Sequence, residues 1–173
     1  MPTTTKPAMT IKKALRNRLA GAKKIAVLGI GSELRSDDVA GMLAAEKLYK
    51  DTAKRSRPKI KVFFGSTAPE NLTGEIKKYK PDHLIMIDTV EIKEKPGTML
   101  VLSPKEMGGG VTFSTHKMPA RILAEYFAHF FKCDVTIVGI QPASLEFGKP
   151  VSKEVKDAAG EVAGAIKEIV YGR

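Results

Sequence analysis

Short apolar runs alternate with segments of helical periodicity along almost the whole chain. Between the runs, apolar residues recur at intervals of three and four, which is the spacing of helices that cover a sheet. This order predicts an α/β fold, a three-layer α/β/α sandwich with a mainly parallel, five-stranded sheet. The segment 98–102 is expected at an edge of that sheet. The five predicted strands are 24–29, 59–64, 83–88, 98–102 and 135–140.

Helical periodicity and local start signals predict five helices. Ser36 can cap the second helix, and the sequence from Thr67 to Glu70 fits a capping box for the third. We expect one domain over residues 1–173, with 1–22 as an N-terminal extension that carries a helix and 23–173 as the core. The predicted helices are 9–20, 36–49, 67–79, 118–131 and 152–171.

The single cysteine and the lengths of the apolar runs indicate the cellular environment of the chain. Its single cysteine, Cys133, has no partner for a disulfide and lies beside an apolar run, so we expect a small buried side chain. The first residues lack the apolar core of a signal peptide, and no apolar run reaches the roughly 18 residues of a membrane helix. The sequence therefore predicts a soluble cytoplasmic protein without membrane insertion.

The formal net charge of +10 raises the question of nucleic-acid binding. Most of the positive charge is lysine dispersed along the chain, and no aromatic cluster accompanies it to stack on bases. A solvated lysine-rich surface fits this pattern better, so no nucleic-acid partner is expected.

Three residues far apart in the sequence are predicted to meet at one end of the sheet. Asp38 opens a helix after the apolar run 25–31, Asp88 ends the run 84–87, and His116 lies in a polar turn before another helix. In parallel sheets, ligands gather beyond the carboxyl ends of the strands. Two carboxylates and an imidazole would leave open positions on a divalent ion such as nickel, zinc or manganese. Each residue also has a structural explanation: a helix dipole for Asp38, a turn for Asp88 and an incidental loop position for His116.

Other site types fit the sequence less well. A dinucleotide fingerprint that begins at Gly29 requires a third glycine at the position of Leu34. Ser114 and Thr115 lack the G-x-S-x-G context of a nucleophilic serine. A metal site at the strand ends is the stronger hypothesis.

The segment from Gly29 to Gly41, GIGSELRSDDVAG, resembles the N-terminal motif of the nickel-iron hydrogenase maturation endopeptidases. The resemblance runs from about residue 24 to the last helix and is greatest to the branch that processes hydrogenase-3-type large subunits. The chain departs from the family motif at Ser32, where asparagine is usual, and at Val39, where glycine is frequent. Further blocks follow in the family's order, at 67–71, 87–88, 95–98, 115–119 and 139–142.

The resemblance implies a specific reaction. Members remove a short C-terminal extension from the hydrogenase large-subunit precursor after nickel has been inserted. They meet the nickel with residues at the positions of Asp38, Asp88 and His116. The substrate precursor would supply the nickel, and no organic cofactor is expected. Two alternatives stay open: a nucleotide- or RNA-handling α/β hydrolase, and a noncatalytic nickel-binding assembly factor.

Overall fold

The computed structural model describes residues 3–5, 8–55, 59–108, 111–113 and 119–172. The strands are β1 (Thr3–Thr5), β2 (Ile25–Ile30), β3 (Ile60–Ser66), β4 (His83–Glu91), β5 (Met99–Leu102), β6 (Thr112–Phe113) and β7 (Asp134–Ile140). The α-helices are α1 (Ala8–Leu19), α2 (Ala40–Thr52), α3 (Thr73–Tyr79), α4 (Ala120–Phe130) and α5 (Lys153–Tyr171). Short 3-10 turns cover Ser36–Val39, Pro69–Leu72 and Pro104–Glu106.

The sheet has the order β1-β5-β7-β4-β2-β3, and β6 pairs with the end of β4. Strands β3, β2, β4 and β7 are parallel, whereas β5 is antiparallel to β7 and β1 is antiparallel to β5. The predicted count of five strands is wrong, because β1 is a run of three threonines and β6 has two residues. Neither carries an apolar pattern. The expected edge position of 98–102 is also wrong, since β1 borders β5.

Two apolar layers cover the sheet, which confirms the predicted three-layer sandwich. Alternate strand residues point to opposite faces. Ile25 and Val27 pack with α1, α2 and α5, whereas Ala26 and Leu28 pack with α3 and α4. Among the described residues, none of the helices combines the length and apolar character needed to span a bilayer.

The first helix belongs to the same core as the rest of the chain. Ile11, Leu15 and Leu19 are buried on the α5 side of the sheet. Lys12 forms an ion pair with Glu168 of α5. The helix predicted at 9–20 is therefore confirmed, while the division at residue 22 and the single-domain reading stay predictions.

Two predicted helix caps are wrong. Ser36 has a positive φ of 49° and starts a 3-10 turn, and its hydroxyl donates to the carbonyl oxygen of Pro150 at 3.0 Å. The segment after β3 likewise starts with a 3-10 turn, which has Ala68 at the N-cap position and no side-chain cap. In both cases the chain turns sharply beyond the carboxyl end of a strand before the α-helix begins.

Helix α2 approaches the carboxyl ends of β2 and β4 very closely. A Cβ atom at Gly41 would lie 2.0 Å from the carbonyl oxygen of Ile87 and 2.4 Å from that of Ile30. Only glycine, which has no Cβ atom, lets the helix come this close to the strand ends. The contact fixes the start of α2, and the turn before it, beside the end of β4.

Candidate active site at the carboxyl end of the sheet

Asp88 lies near the carboxyl end of β4, between β2 and β7, and is fully buried. Its Oδ1 accepts a hydrogen bond from the backbone N–H of Thr89 at 2.8 Å. Its Oδ2 is buried and has no hydrogen-bond partner among the described residues. Desolvation raises the pKa of Asp88 well above its usual range, and the Thr89 N–H only partly opposes this. A nearby cation would stabilise the ionised form of such a buried carboxyl group.

Asp38 is the second buried carboxylate at this end of the sheet. It lies in the 3-10 turn Ser36–Val39 and is fully buried, with Arg35 Nη1 at 3.8 Å from its Oδ2. The negative charge of Asp38 contributes to the raised pKa of Asp88, so the two carboxylates are near enough to repel each other. The hydroxyl of Thr89 donates to the Asp37 carbonyl oxygen at 3.1 Å and ties this turn to β4. Two carboxylates at one buried position favour a shared cation or a retained proton.

Gly31 makes room for the turn that carries Asp38. Its φ is +142°, and a Cβ atom there would lie 1.8 Å from the carbonyl oxygen of Asp38. Gly31 therefore permits the close backbone packing between the end of β2 and this turn.

Asp37 has different surroundings from Asp38. One of its carboxylate oxygens accepts from Ala143 N at 2.8 Å and Ser152 Oγ at 2.9 Å, and the other accepts from Ser152 N at 2.7 Å. These bonds attach the turn to the loop between β7 and α5. Asp37 is therefore a structural anchor, and sequence reasoning missed it because its partners lie more than a hundred residues away.

Gln141 is another structural residue that sequence reasoning missed. Its Nε2 donates to both carboxylate oxygens of Glu91 at 3.1 Å, and its Oε1 accepts from Ile92 N at 2.8 Å. These contacts join the segment after β7 to the end of β4. They hold the chain that leaves β4 just beyond Asp88.

His116 lies outside the described residues, so the structure brings together only two of the three predicted site residues. Strand β6 is antiparallel to β4, with Phe113 opposite Val90, and it therefore runs back in the direction of Asp88. Among the described residues, no group of three histidine, cysteine or carboxylate side chains is arranged to hold a metal ion. The predicted set depends on His116.

His83 and Cys133 lie at the opposite, amino end of the strands. The Nε2 atom of buried His83 is 2.8 Å from Thr136 Oγ1, and burial lowers the pKa of His83. Burial also raises the pKa of the Cys133 thiol to about 11. Cys133 is therefore protonated at neutral pH and is not a nucleophile, which confirms the predicted buried role.

Comparison with known proteins identifies the family. The model of the hydrogenase maturation protease family matches residues 42–169, which is most of the chain. The chain belongs to this family. The matched residues include Asp88 and His116, whereas Asp38 lies just before them. The resemblance seen in the sequence is thus confirmed.

Two solved structures of hydrogenase maturation proteases share this fold. The nickel-iron hydrogenase maturation protease HycI from Thermococcus kodakarensis is 31% identical, with a TM-score of 0.80 over 91% of this chain and 98% of that one. The endopeptidase HycI from Escherichia coli is 28% identical, with a TM-score of 0.69 over 82% and 87%. The hydrogenase 3 maturation protease of Escherichia coli is 29% identical over 79% of this chain and 84% of the relative.

Proposed function

We propose that this protein is the endopeptidase that removes the C-terminal extension of a nickel-iron hydrogenase large-subunit precursor after nickel insertion. Family membership supports the reaction, and the relative in Escherichia coli acts in the maturation of hydrogenase 3. The observation that carries the assignment of the site is the buried pair Asp38 and Asp88. One Asp88 oxygen has no hydrogen-bond partner among the described residues.

The nickel of the substrate is the cation that this pair meets. Two buried carboxylates repel each other, and a divalent ion between them relieves the repulsion and the cost of burial. Burial raises the pKa of Asp88, and a cation beside it would oppose this shift by favouring the ionised carboxylate. The precursor brings the ion, so the protein needs no resident metal or organic cofactor.

His116 is the proposed third ligand. It lies three residues beyond Phe113 and three residues before Pro119. Three extended residues span roughly 10 Å. Strand β6 runs toward Asp88 up to Phe113, so the chain is directed to the site from this side. One imidazole and two carboxylates together form a donor set that suits a first-row divalent ion.

The site positions one peptide bond of the precursor for hydrolysis. Asp38, Asp88 and His116 hold the substrate's nickel, and this contact sets the register of the chain beside it. Water adds to the carbonyl carbon, the C–N bond breaks, and the released amine takes a proton. Water is the nucleophile that we favour, since the thiol of Cys133 is protonated and lies at the far end of the strands.

Mass spectrometry of the purified large-subunit precursor tests the proposal. Incubation of the nickel-loaded precursor with the protein should release one C-terminal peptide, and the nickel-free precursor should keep its full mass. An assembly factor would bind the precursor without changing its mass. An RNA-handling hydrolase would leave the precursor intact and bind RNA in a salt-sensitive manner. The cytoplasmic location expected from the sequence stays a prediction.

A further inference from the structure

Two large apolar side chains beside the candidate site are unusually exposed. Phe147 is 76% exposed and Leu34 is 64% exposed, the highest values among the large hydrophobic residues that the structure describes. Leu34 lies in the loop that leads into the turn of Asp38, and Phe147 lies in the loop that Asp37 anchors. Exposed apolar side chains next to a polar site are typical of an interaction surface.

A hydrogen-bond network holds these two loops together. The backbone N–H of Gly148 donates to the carbonyl oxygen of Leu34 at 3.0 Å. The hydroxyl of Ser36 donates to the carbonyl oxygen of Pro150 at 3.0 Å. Leu34 and Phe147 are therefore presented from loops that are fixed to each other, which reduces the entropy lost when a partner binds.

An apolar groove continues this surface along α2. The groove has a volume of about 470 Å³. Both loops contribute to its lining, since Glu33 comes directly before Leu34 and Val151 comes four residues after Phe147. Val39, next to Asp38, forms part of its wall. The groove is lined by Glu33, Val39, Met42, Leu43, Glu46, Phe64 and Val151.

The charge of the groove is opposite to that of the whole chain. The protein has a formal net charge of +10, yet the lining contains two glutamates and no lysine or arginine. Glu46 forms an ion pair with Lys50 at 2.8 Å. Glu33 is exposed and has no ion-pair partner among the described residues. An apolar groove with a free carboxylate fits a peptide that combines apolar side chains with a basic one.

We propose that Leu34, Phe147 and this groove bind the segment of the precursor polypeptide that adjoins the cleaved bond. The surface includes Val39, which follows Asp38 directly, and Leu34, which lies four residues before it. A chain whose metal lies on Asp38 and Asp88 would therefore continue onto this surface. The segment is apolar with a basic side chain that faces Glu33. This inference rests on the proposed function and assigns Leu34, Phe147 and Glu33 to substrate specificity.

The test measures binding and processing of the nickel-loaded precursor by three single variants, Leu34→Ser, Phe147→Ser and Glu33→Lys. Matched controls are Phe130→Ser, which also removes an exposed aromatic ring, and Glu75→Lys. The controls lie on α4 and α3, on the other face of the sheet. Each test variant should raise Kd and KM roughly tenfold with little change in kcat, and the controls should behave as the wild type. Melting temperatures should be unchanged in all five, because the replaced side chains are exposed.

The possible results test the inference and the proposed function separately. Kd values of the three test variants equal to that of the wild type overturn the inference, even if the precursor is cleaved. A wild-type dimer that the Phe147→Ser variant converts to a monomer, with precursor binding unchanged, also overturns it and assigns the surface to a second copy of the chain. If the wild type binds the precursor without cleaving it, the proposed function fails, whereas weaker binding by the variants still supports the inference.

Discussion

Asp37 and Asp38 are neighbours in the chain and both are fully buried, but their environments differ. The Asp37 carboxylate accepts hydrogen bonds from Ala143, Ser144 and Ser152. Asp38 lies near enough to Asp88 to raise its pKa and has the guanidinium of Arg35 at 3.8 Å. The sequence places both aspartates at the start of a helix that follows a strand. It does not distinguish them, because the partners of Asp37 come from a distant loop.

Exchange of each aspartate for asparagine should separate structure from function. Asp38→Asn should abolish processing and change the free energy of unfolding by less than about 1 kcal/mol, because the carboxylate proposed as a metal ligand is replaced by a neutral amide of the same shape. Asp37→Asn should lower the free energy of unfolding by about 2–3 kcal/mol, because an amide N–H₂ would face backbone donors. Urea unfolding and precursor cleavage measure the two effects. Normal cleavage by folded Asp38→Asn would contradict the ligand role.

His83 makes the stability of the protein depend on pH. Burial lowers the pKa of His83 in the folded state below its usual value of 6.5. Between these two pKa values the unfolded state binds a proton at His83 and the folded state does not. The contribution of His83 to the free energy of unfolding should therefore be fully present above about pH 6.5. It should decrease as the pH falls from there to the lowered pKa of the folded state. Urea unfolding at pH 7.5, 6.5 and 5.5 tests this. The His83→Gln variant should lose this part of the pH dependence; an unchanged slope would contradict the prediction.

At the scale of elements, the position of α2 depends on the absence of a side chain at Gly41. A methyl group there would overlap the carbonyl oxygens of Ile87 and Ile30. Gly41→Ala should therefore push α2 and the Asp38 turn away from β4, with a loss of about 3 kcal/mol in stability and at least a tenfold loss of processing.

Gly164 in α5 provides the matched control for Gly41. A Cβ atom at Gly164 would contact nothing within 4 Å. Gly164→Ala should be neutral or should stabilise the protein by about 0.5–1 kcal/mol, because alanine is the better helix former. Thermal unfolding and cleavage of the precursor are measured for both variants. Equal effects at the two positions would show that the close packing of α2 is not required.

The elements that sequence reasoning missed are those without a periodic apolar pattern. The four parallel strands and the helices were predictable because their apolar residues recur with the period of each structure. Strand β1 consists of three threonines and exists through its pairing with β5. The two 3-10 turns that follow β2 and β3 depend on backbone packing at the strand ends, which local propensity does not encode.

At the scale of the whole molecule, the architecture and the proximity of Asp38 and Asp88 were predictable from the sequence for different reasons. The alternation of apolar runs is a global pattern, so it determines the layers, and parallel strands then bring Asp38 and Asp88 to the same end. The pairing of their charges and the raised pKa of Asp88 follow only from burial in the assembled fold. The assignment of nickel as the ion came from the resemblance and not from the donor residues alone.

The first 22 residues lie outside the resemblance, yet α1 completes one layer of the sandwich. Ile11 and Leu15 are fully buried, and Leu19 is 4% exposed. Removal of residues 1–22 would expose the apolar surface that these side chains cover on α5 and the sheet. Burial of each such side chain is worth about 1.5–3 kcal/mol, so the truncated chain should lose most of the roughly 5–15 kcal/mol of a typical domain.

A point substitution tests the same contribution of α1 without removing β1. Leu15→Ala in the full chain should reduce the free energy of unfolding by about 2–5 kcal/mol, whereas Lys13→Ala, at an exposed position of the same helix, should change it by less than about 0.5 kcal/mol. Urea unfolding of both variants and of the truncated chain measures this. Cooperative unfolding of the truncated chain at the wild-type midpoint would show that α1 is an appendage. The expected loss would instead show that the carboxylate pair is supported by a core that begins before the family motif.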